Sequence, residues 1–322
     1  MSWNAWGKHG SLAGEPDRQV ARIRPVQAVR PRSRSAAMEL AEKIYILLPV
    51  HNRRQVTEKF VACLRRQTYR SYHLILIDDG STDGTAESVT AAIKSVTVIR
   101  GRGKFWWAGC LQQGLNTLAA MHPSPGDILL IANDDIQFED NFLESAATVL
   151  RSRQRCLLLA RVKNPETGTI SETGIEANFR TLSFKIAASA ERINCLSTRG
   201  LFLRWADAQT IGGFHPTLLP HYLSDYEWTI RATRRGLACI TVPELYVVNQ
   251  QTGVSGAVDF AAASGPLEFM RRGLSRKSRV NPVDWVVFIL LAAEMRDLPS
   301  GLTRLFQRIG REMIKQFGRH GR

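Results

Sequence analysis

The sequence predicts an α/β protein: a doubly wound, mostly parallel sheet, then a less regular second half and a helical, basic C-terminal segment. Three observations carry that prediction. From Lys43 onward, short apolar runs rich in β-branched residues alternate with segments of helical period over short connections. After Val162 this rhythm breaks into loops rich in Gly, Thr and Asn, and it resumes near Gly200. The 322 residues, 44% of them hydrophobic, suffice to bury a sizeable core.

The elements follow in order. Ile44–Val50, "IYILLPV", is apolar throughout, as a strand covered on both faces must be. Val56–Gln67 places Val56, Phe60, Leu64 and Gln67 on one side of a helix. Leu74–Asp78 is the second strand, and the helix opening in "DGTAESVTAAI" has Thr82 or Asp83 as its candidate cap. Val96–Arg100 is the third strand and Ala108–Met121 the third helix. "DILLIAN", ending at Asn133, is the fourth strand; a helix from about Asn141 to Arg153 precedes a fifth at Cys156–Val162. Regular patterns return in "GLFLRWADAQTIGGF", "LSDYEWTIRATRRG" and "CITVPELYVV". One continuous fold over residues 41–250 suits this pattern better than two independent domains. It divides into a first half at 41–135 and a second at 136–250.

Lys and Arg number 43 against 29 Asp and Glu, a formal net charge of +14. Such a balance suggests an anionic partner: a nucleotide, a nucleic acid or an acidic membrane face. The excess gathers in the terminal segments without an aromatic–basic RNA-recognition motif, so no specific nucleic-acid partner is expected. Residues 1–40 lack the apolar core of a secretory signal, and their Arg, Pro and Ser content reads as a disordered basic arm. Met38, just before the first ordered-looking segment, offers an alternative translation start. The dispersed cysteines Cys63, Cys110, Cys156, Cys195 and Cys239 form no C-x-x-C pair and no zinc spacing, so reduced thiols are expected.

Residues 251–322 form the helical, basic tail. Its apolar run Trp285–Ala293 is far shorter than the roughly 20 residues a membrane-spanning helix needs. Beyond it, Leu302, Leu305, Phe306, Ile309, Met313, Ile314 and Phe317 recur at helical spacing, with basic residues filling the other face. That pattern suits an ordinary basic surface helix or one lying on an anionic membrane. A cytoplasmic protein with peripheral contact at the inner membrane face is the expectation.

In open α/β sheets ligands bind beyond the carboxyl ends of the strands. Here "PVHN" (Pro49–Asn52) follows the first strand, "DDGSTDGT" (Asp78–Thr85) the second, "GRGKFWWAG" (Gly101–Gly109) the third and Asn133-Asp134-Asp135 the fourth. Polar, glycine-rich and acidic segments at four successive strand ends point to one cleft. Plainer readings stand beside this one: tight turns, a helix cap before Phe142, and core packing by Trp106 and Trp107. Adjacent carboxylates repel, however. Mg²⁺ or Mn²⁺ takes oxygen ligands, would relieve that repulsion and would hold a diphosphate. One Trp can wall a sugar while the start of its helix helps bind an anion, with Arg102 and Lys104 nearby for phosphate. No G-x-G-x-x-G fingerprint or P-loop follows the first strand, which argues against dehydrogenases and P-loop enzymes.

Read together, these stretches resemble the family-2 inverting glycosyltransferases with the GT-A type of doubly wound fold. The likeness opens in "ILLPVHNRRQVTEKFVACLRRQTYRSYHLILIDDGSTDGT" and continues through "FWWAGCLQQGLN", "LLIANDDIQF", "GLFLRWADAQTIGGF" and "YLSDYEWTIRATRRG". It covers about Ile44 to Gly236, some 60% of the 322 residues, and is greatest to the rhamnosyltransferase-like, cell-surface-polysaccharide branch. The resemblance implies a nucleotide-sugar half at 41–135 and an acceptor half at 136–250. It implies that Pro49 and Asn52 lie beside the base and ribose, that Asp79 reads the base and that Asp78 is structural. Asn133-Asp134-Asp135 falls at the family's D-x-D motif, with Asp135 on the metal and Asn in place of the first Asp. Trp106, Trp107, Gly109 and Lys104 would belong to the nucleotide-sugar site.

In "HYLSDYEW", Asp225 matches the family's base, while Ser224 replaces the preceding Glu; Glu227 is the backup base. The plainer reading makes Ser224 a helix cap and Asp225 and Glu227 favourable first-turn acids. Asn249 stands where many relatives place a His within reach of the metal. The implied reaction is a single displacement on a nucleotide-diphosphate sugar. The acceptor is a hydroxyl on a glycan, a polysaccharide or a lipid-linked glycan. A nucleotidyltransferase is the first alternative, although "PVHNRRQ" has Arg53 and Arg54 but no glycine. A degenerate sugar-nucleotide-binding protein without turnover is the second, given Asn133, Ser224 and Asn249.

Overall fold

A computed structural model describes residues 42–249, 271–275 and 278–317, with the backbone alone at 312, 313 and 315–317. The expected arm at 1–40 and residues 250–270 lie outside the described residues.

Strands β1 (Ile44–Val50), β2 (Tyr72–Asp78), β3 (Val96–Arg100) and β4 (Ile128–Ile131) form the parallel half of one sheet, in the order β3–β2–β1–β4. Side chains alternate across a strand, and β1 shows why it is apolar throughout. Ile44, Ile46, Leu48 and Val50 enter the core under α1 (Arg54–Arg66), α2 (Thr85–Ala92) and α4 (Phe142–Ser152). Tyr45 and Leu47 enter a second core under α3 (Trp106–Ala120). The first half is thus the expected doubly wound α/β sheet, helices on both faces. Its strand boundaries match the sequence reading to within two residues.

The second half departs from simple alternation. β6 (Cys156–Lys163) does not pair with β4; β10 (Leu201–Arg204) runs antiparallel between them. β11 (Ala238–Asn249) lies parallel to β6, and the short β5 (Ile136–Gln137) pairs antiparallel with the end of β11. β7 (Ile170–Glu172) extends the edge of β6. The loops rich in Gly, Thr and Asn hold a hairpin of β8 (Ile175–Asn178) and β9 (Ser183–Ile186). Helix α5 (Trp205–Ile211) and helix α6 (Ser224–Arg234) cover the second core through Trp205, Ile211 and Trp228.

Two helices follow. α7 (Pro282–Ala292) is capped by Asn281, whose side chain accepts from the Val283 N–H, and Pro282 occupies the first turn. Phe288 of α7 packs its ring 5.4 Å from Phe179 and 5.7 Å from Phe184, so the helix is held by the β8–β9 region. α8 (Leu298–Phe317) buries Leu305 but leaves Phe306 62% and Ile314 70% exposed. No helix among the described residues is long and apolar enough to cross a membrane. All five cysteines are buried and free.

Candidate active site

The strand registers place Val50 beside Asp78 and Asp78 beside Arg100, so the loops after β1, β2 and β3 leave the sheet at one edge. Hydrogen bonds tie them together. The Asn52 N–H donates to Ser81 Oγ at 2.9 Å, and Asn52 Oδ1 accepts from the Thr82 N–H at 2.8 Å. The Arg54 N–H donates to Asp83 Oδ2 at 2.9 Å, while Asp83 Oδ1 accepts from the Thr85 N–H at 3.1 Å. Asp83 thereby serves the first turns of both α1 and α2, although Gly84 takes the backbone cap position. His51 Nδ1 lies 2.7 Å from the Asp79 carbonyl, which only accepts, so Nδ1 carries the ring proton. Pro49 is buried within β1 opposite Ile77, one layer back from the loops where the sequence reading placed it.

Asp79 is 7% exposed, and its carboxylate is filled. It accepts from the backbone N–H groups of Gly103 (2.8 Å), Lys104 (3.1 Å), Phe105 (2.9 Å) and Trp106 (3.3 Å). A carboxylate offers about four acceptor sites. The close approach depends on glycine: a Cβ at Gly80 would stand 2.8 Å from Gly103 N, and one at Gly101 would overlap Asp79 Oδ1. The resemblance implies that Asp79 reads a nucleotide base, and the start of α3 is an expected anion site. Here the Asp79 carboxylate accepts from the loop before α3 and from its first residue, Trp106. Asp78 is buried and accepts from the Ser81 N–H at 2.8 Å.

On the same loop, Lys104 and Arg102 are exposed. Trp107 packs against the second core, whereas Trp106 has a backbone φ of 56° and holds its ring 5.6 Å from that of His221. Gly109 is buried one turn on; a Cβ there would press on Phe105 at 3.3 Å.

The apolar β4 delivers Asn133, Asp134 and Asp135 to this edge, with the Ala132 N–H donating to the Leu47 carbonyl at 3.1 Å. Asn133 is half-buried; Asp134 and Asp135 are buried. Arg53, between β1 and α1, spans the pair: its Nε is 3.0 Å from Asp134 Oδ2 and its Nη2 3.4 Å from Asp135 Oδ2. Thr57 Oγ lies 3.0 Å from Asp134 Oδ2. Burial raises the Asp134 carboxyl to about 6 against the opposing pull of Arg53 and Thr57. Asp135 Oδ1 is buried and has no hydrogen-bond partner among the described residues.

That oxygen suits a hard cation. No group of three or more His, Cys, Asp or Glu converges among the described residues. Two carboxylates completed by substrate oxygens and water are the donor set Mg²⁺ commonly takes. Asn249 pairs opposite Ile136, one residue from Asp135, so the position the resemblance gave to a metal-reaching His adjoins the acidic pair.

Asp225 stands in the first turn of α6, half-buried, with its Oδ1 accepting from the Tyr226 N–H at 2.9 Å. Desolvation raises its carboxyl to about 6; the Glu172 charge adds to the rise and Arg199 opposes it. Leu223 before it holds φ at 67°, a costly conformation for a branched side chain. Ser224 does not cap the helix; its Oγ donates to the His221 carbonyl at 2.8 Å. Through Trp106, whose N–H reaches Asp79 and whose ring meets His221, the start of α6 is joined to the loops after β2 and β3. Glu227 is unsuited to the backup role. It is 2% exposed and forms a two-pronged ion pair with Arg231, Oε1–Nε 2.9 Å and Oε2–Nη2 2.8 Å.

A family model described as "Glycosyl transferase family 2" matches residues 45–204, from β1 through β10, and takes in every strand-end loop above. The chain belongs to glycosyltransferase family 2. A curated relative, the glycosyltransferase GlyG of Streptococcus pneumoniae, is 23% identical over 128 residues, 39% of this chain and 40% of that protein's length. Among solved structures, TarS residues 1–349 of S. aureus matches with a TM-score of 0.54 at 16% identity, over 84% of this chain and 74% of the other. The mannosyltransferase PcManGT of Pyrobaculum calidifontis matches at 0.50 and 15% identity, over 86% and 87%. These likenesses show the shared GT-A fold.

Within this family-2 chain, sequence reasoning missed Arg53 as the partner of the acidic pair, and His51, Arg199 and Glu172 as neighbours of the carboxylates. No local pattern links residue 53 to residue 134. The Glu227–Arg231 pair was readable, since acid and base four apart on a helix face each other. Two cavities, of about 510 and 330 Å³, lie where α1 and α4 approach β11; both are lined by Glu139 and Tyr246, and neither includes Asp79, Asp135 or Asp225.

Proposed function

We propose that this family-2 chain is an inverting glycosyltransferase. It moves a hexosyl or deoxyhexosyl group from a nucleotide-diphosphate sugar to a hydroxyl on a glycan, polysaccharide or lipid-linked acceptor. The observation that carries the reading is Asp225, a carboxyl raised to about 6 in the first turn of α6, four residues after the His221 whose ring meets Trp106. A base of that strength is ionised at neutral pH yet avid enough to take a proton, and a positioned base contributes about 10²–10⁴-fold.

The acceptor oxygen bonds to the anomeric carbon as its proton passes to Asp225. The bond from that carbon to the diphosphate oxygen breaks on the opposite face, its electron pair leaving with the nucleoside diphosphate, and the anomeric configuration inverts. Asp135, with Asp134 beside it, would hold a divalent cation, Mn²⁺ or Mg²⁺, which when bound supplies positive charge to the leaving diphosphate. Lys104 presents an ammonium group at the same edge. Trp106 offers a ring face to the sugar. Asn52 and Asp79 hold the loops that position these groups.

Two solved neighbours support a sugar-nucleotide donor: TarS in complex with UDP-GlcNAc, and PcManGT in complex with GDP-Man and Mn²⁺. Residues 41–135 serve the donor and residues 136–250 the acceptor, within polysaccharide biosynthesis for the cell envelope. The exposed Phe306 and Ile314 with Arg304 and Arg311 on α8 suit peripheral contact with an anionic membrane, which flotation with anionic against neutral vesicles tests. The direct test is thermal denaturation with uridine, guanosine and thymidine diphosphate sugars, with and without Mn²⁺. One donor class raises Tm in the presence of the cation. Stabilisation by none of them overturns the reading.

A further inference from the structure

The geometry points to Arg53 as a built-in counter-ion that occupies the Asp134–Asp135 pair until a divalent cation displaces it. This rests on the cation site just proposed and adds a residue that competes for it. Three features of the contact support displacement. Arg53 lies 3.0 Å from one carboxylate and 3.4 Å from the other, yet neither its Nε nor its Nη2 is aligned to form a hydrogen bond. The contacts are therefore charge contacts without the geometry that makes guanidinium–carboxylate pairs strong. The Arg53 side chain as a whole remains 28% exposed, against 7% for Asp134 and 13% for Asp135, although its Nε and Nη2 are themselves buried. Asp135 Oδ1 stays buried and unpartnered, which leaves the pair under-satisfied even with the guanidinium in place.

The position of Arg53 in the chain gives displacement a consequence. Its neighbours are fixed: Asn52 by Ser81 and Thr82, Arg54 by Asp83, and the Arg53 carbonyl by the N–H groups of Val56 and Thr57. With the backbone held on both sides, displacement would move the Arg53 side chain alone. Two adjacent, buried carboxylates without a counter-charge are strongly unfavourable, and Arg53 relieves this while the site holds no cation. Once a cation takes over that role, the guanidinium is released at the mouth of the site. There a diphosphate is its natural bidentate partner. Cation and donor then assist each other, because the donor gives the displaced side chain a new partner.

The test is Mn²⁺ binding by the protein alone, without donor, counted from the loss of the free-ion signal in electron paramagnetic resonance. Arg53→Gln removes the competitor and binds Mn²⁺ about tenfold more tightly than the unmodified chain. Arg53→Lys, which keeps the charge but cannot span both carboxylates, falls between the two and covers the case in which Arg53→Gln does not fold. Asp135→Asn abolishes binding in each background. Equal or weaker binding by both Arg53 variants, still abolished by Asp135→Asn, overturns the counter-ion role and leaves the cation site standing. Absence of Mn²⁺ binding from all of the proteins overturns both.

Discussion

Asp79 follows β2 and Asp225 opens α6, and their surroundings treat them in opposite ways. Asp79 receives four backbone N–H groups and is buried behind them. Asp225 receives one, from Tyr226, and burial raises its carboxyl to about 6. A saturated carboxylate fixes a loop, because moving it would strand several donors at once. An under-satisfied one holds its proton more tightly and can exchange it. The acidic pair shows a similar division: Asp134 accepts from the Thr57 hydroxyl, while one oxygen of Asp135 has no partner among the described residues. Hydrogen-bond satisfaction thus separates Asp79, which holds a loop, from Asp225 and Asp135, to which the proposed chemistry is given.

The sharpest way to break that comparison is to remove each carboxylate in turn. Asp225→Asn lowers turnover of the stabilising donor by about 10²–10⁴-fold while leaving the fold intact. Glu227→Gln, whose carboxylate is committed to Arg231, stays within about threefold in rate per folded molecule and shows its loss in Tm instead. If the two rates are exchanged, the assignment of the base is wrong. A smaller effect belongs to Asp79→Asn, which turns an amide NH₂ towards backbone donors. It costs about 2–3 kcal/mol of stability and speeds proteolysis within residues 101–105. An unchanged Tm with a selective loss of nucleotide affinity would return Asp79 to the base-reading role that the resemblance implied.

The parallel half was legible because its strands are buried on both faces. β1 to β4 stand out as continuous apolar runs closed by polar segments, and that contrast also marked the cleft edge. β10 was harder to place, since an apolar run such as Leu201–Arg204 says nothing of its direction or of which strands it separates. The β8–β9 hairpin is short and half-exposed, so its alternation is weak. At the site, the residue types were legible and their partners were not. Asp79 looked like a free carboxylate because the amides that fill it belong to a loop more than twenty residues away. Arg53 looked like part of a basic run because its partners lie about eighty residues on.

The central claim, that Asp225 takes the acceptor proton, is tested most directly by the pH dependence of kcat/KM for nucleoside diphosphate release from the stabilising donor. The base works ionised, and its carboxyl is raised above the ordinary aspartate value to about 6. Activity is therefore full above neutrality and falls as pH drops through about 6, whereas an unperturbed aspartate would hold activity down to about pH 4. That acid limb is expected in the unmodified protein, and it disappears, at a much lower rate, in Asp225→Asn. An Asp225→Asn protein that keeps both the rate and the limb would contradict that role for Asp225.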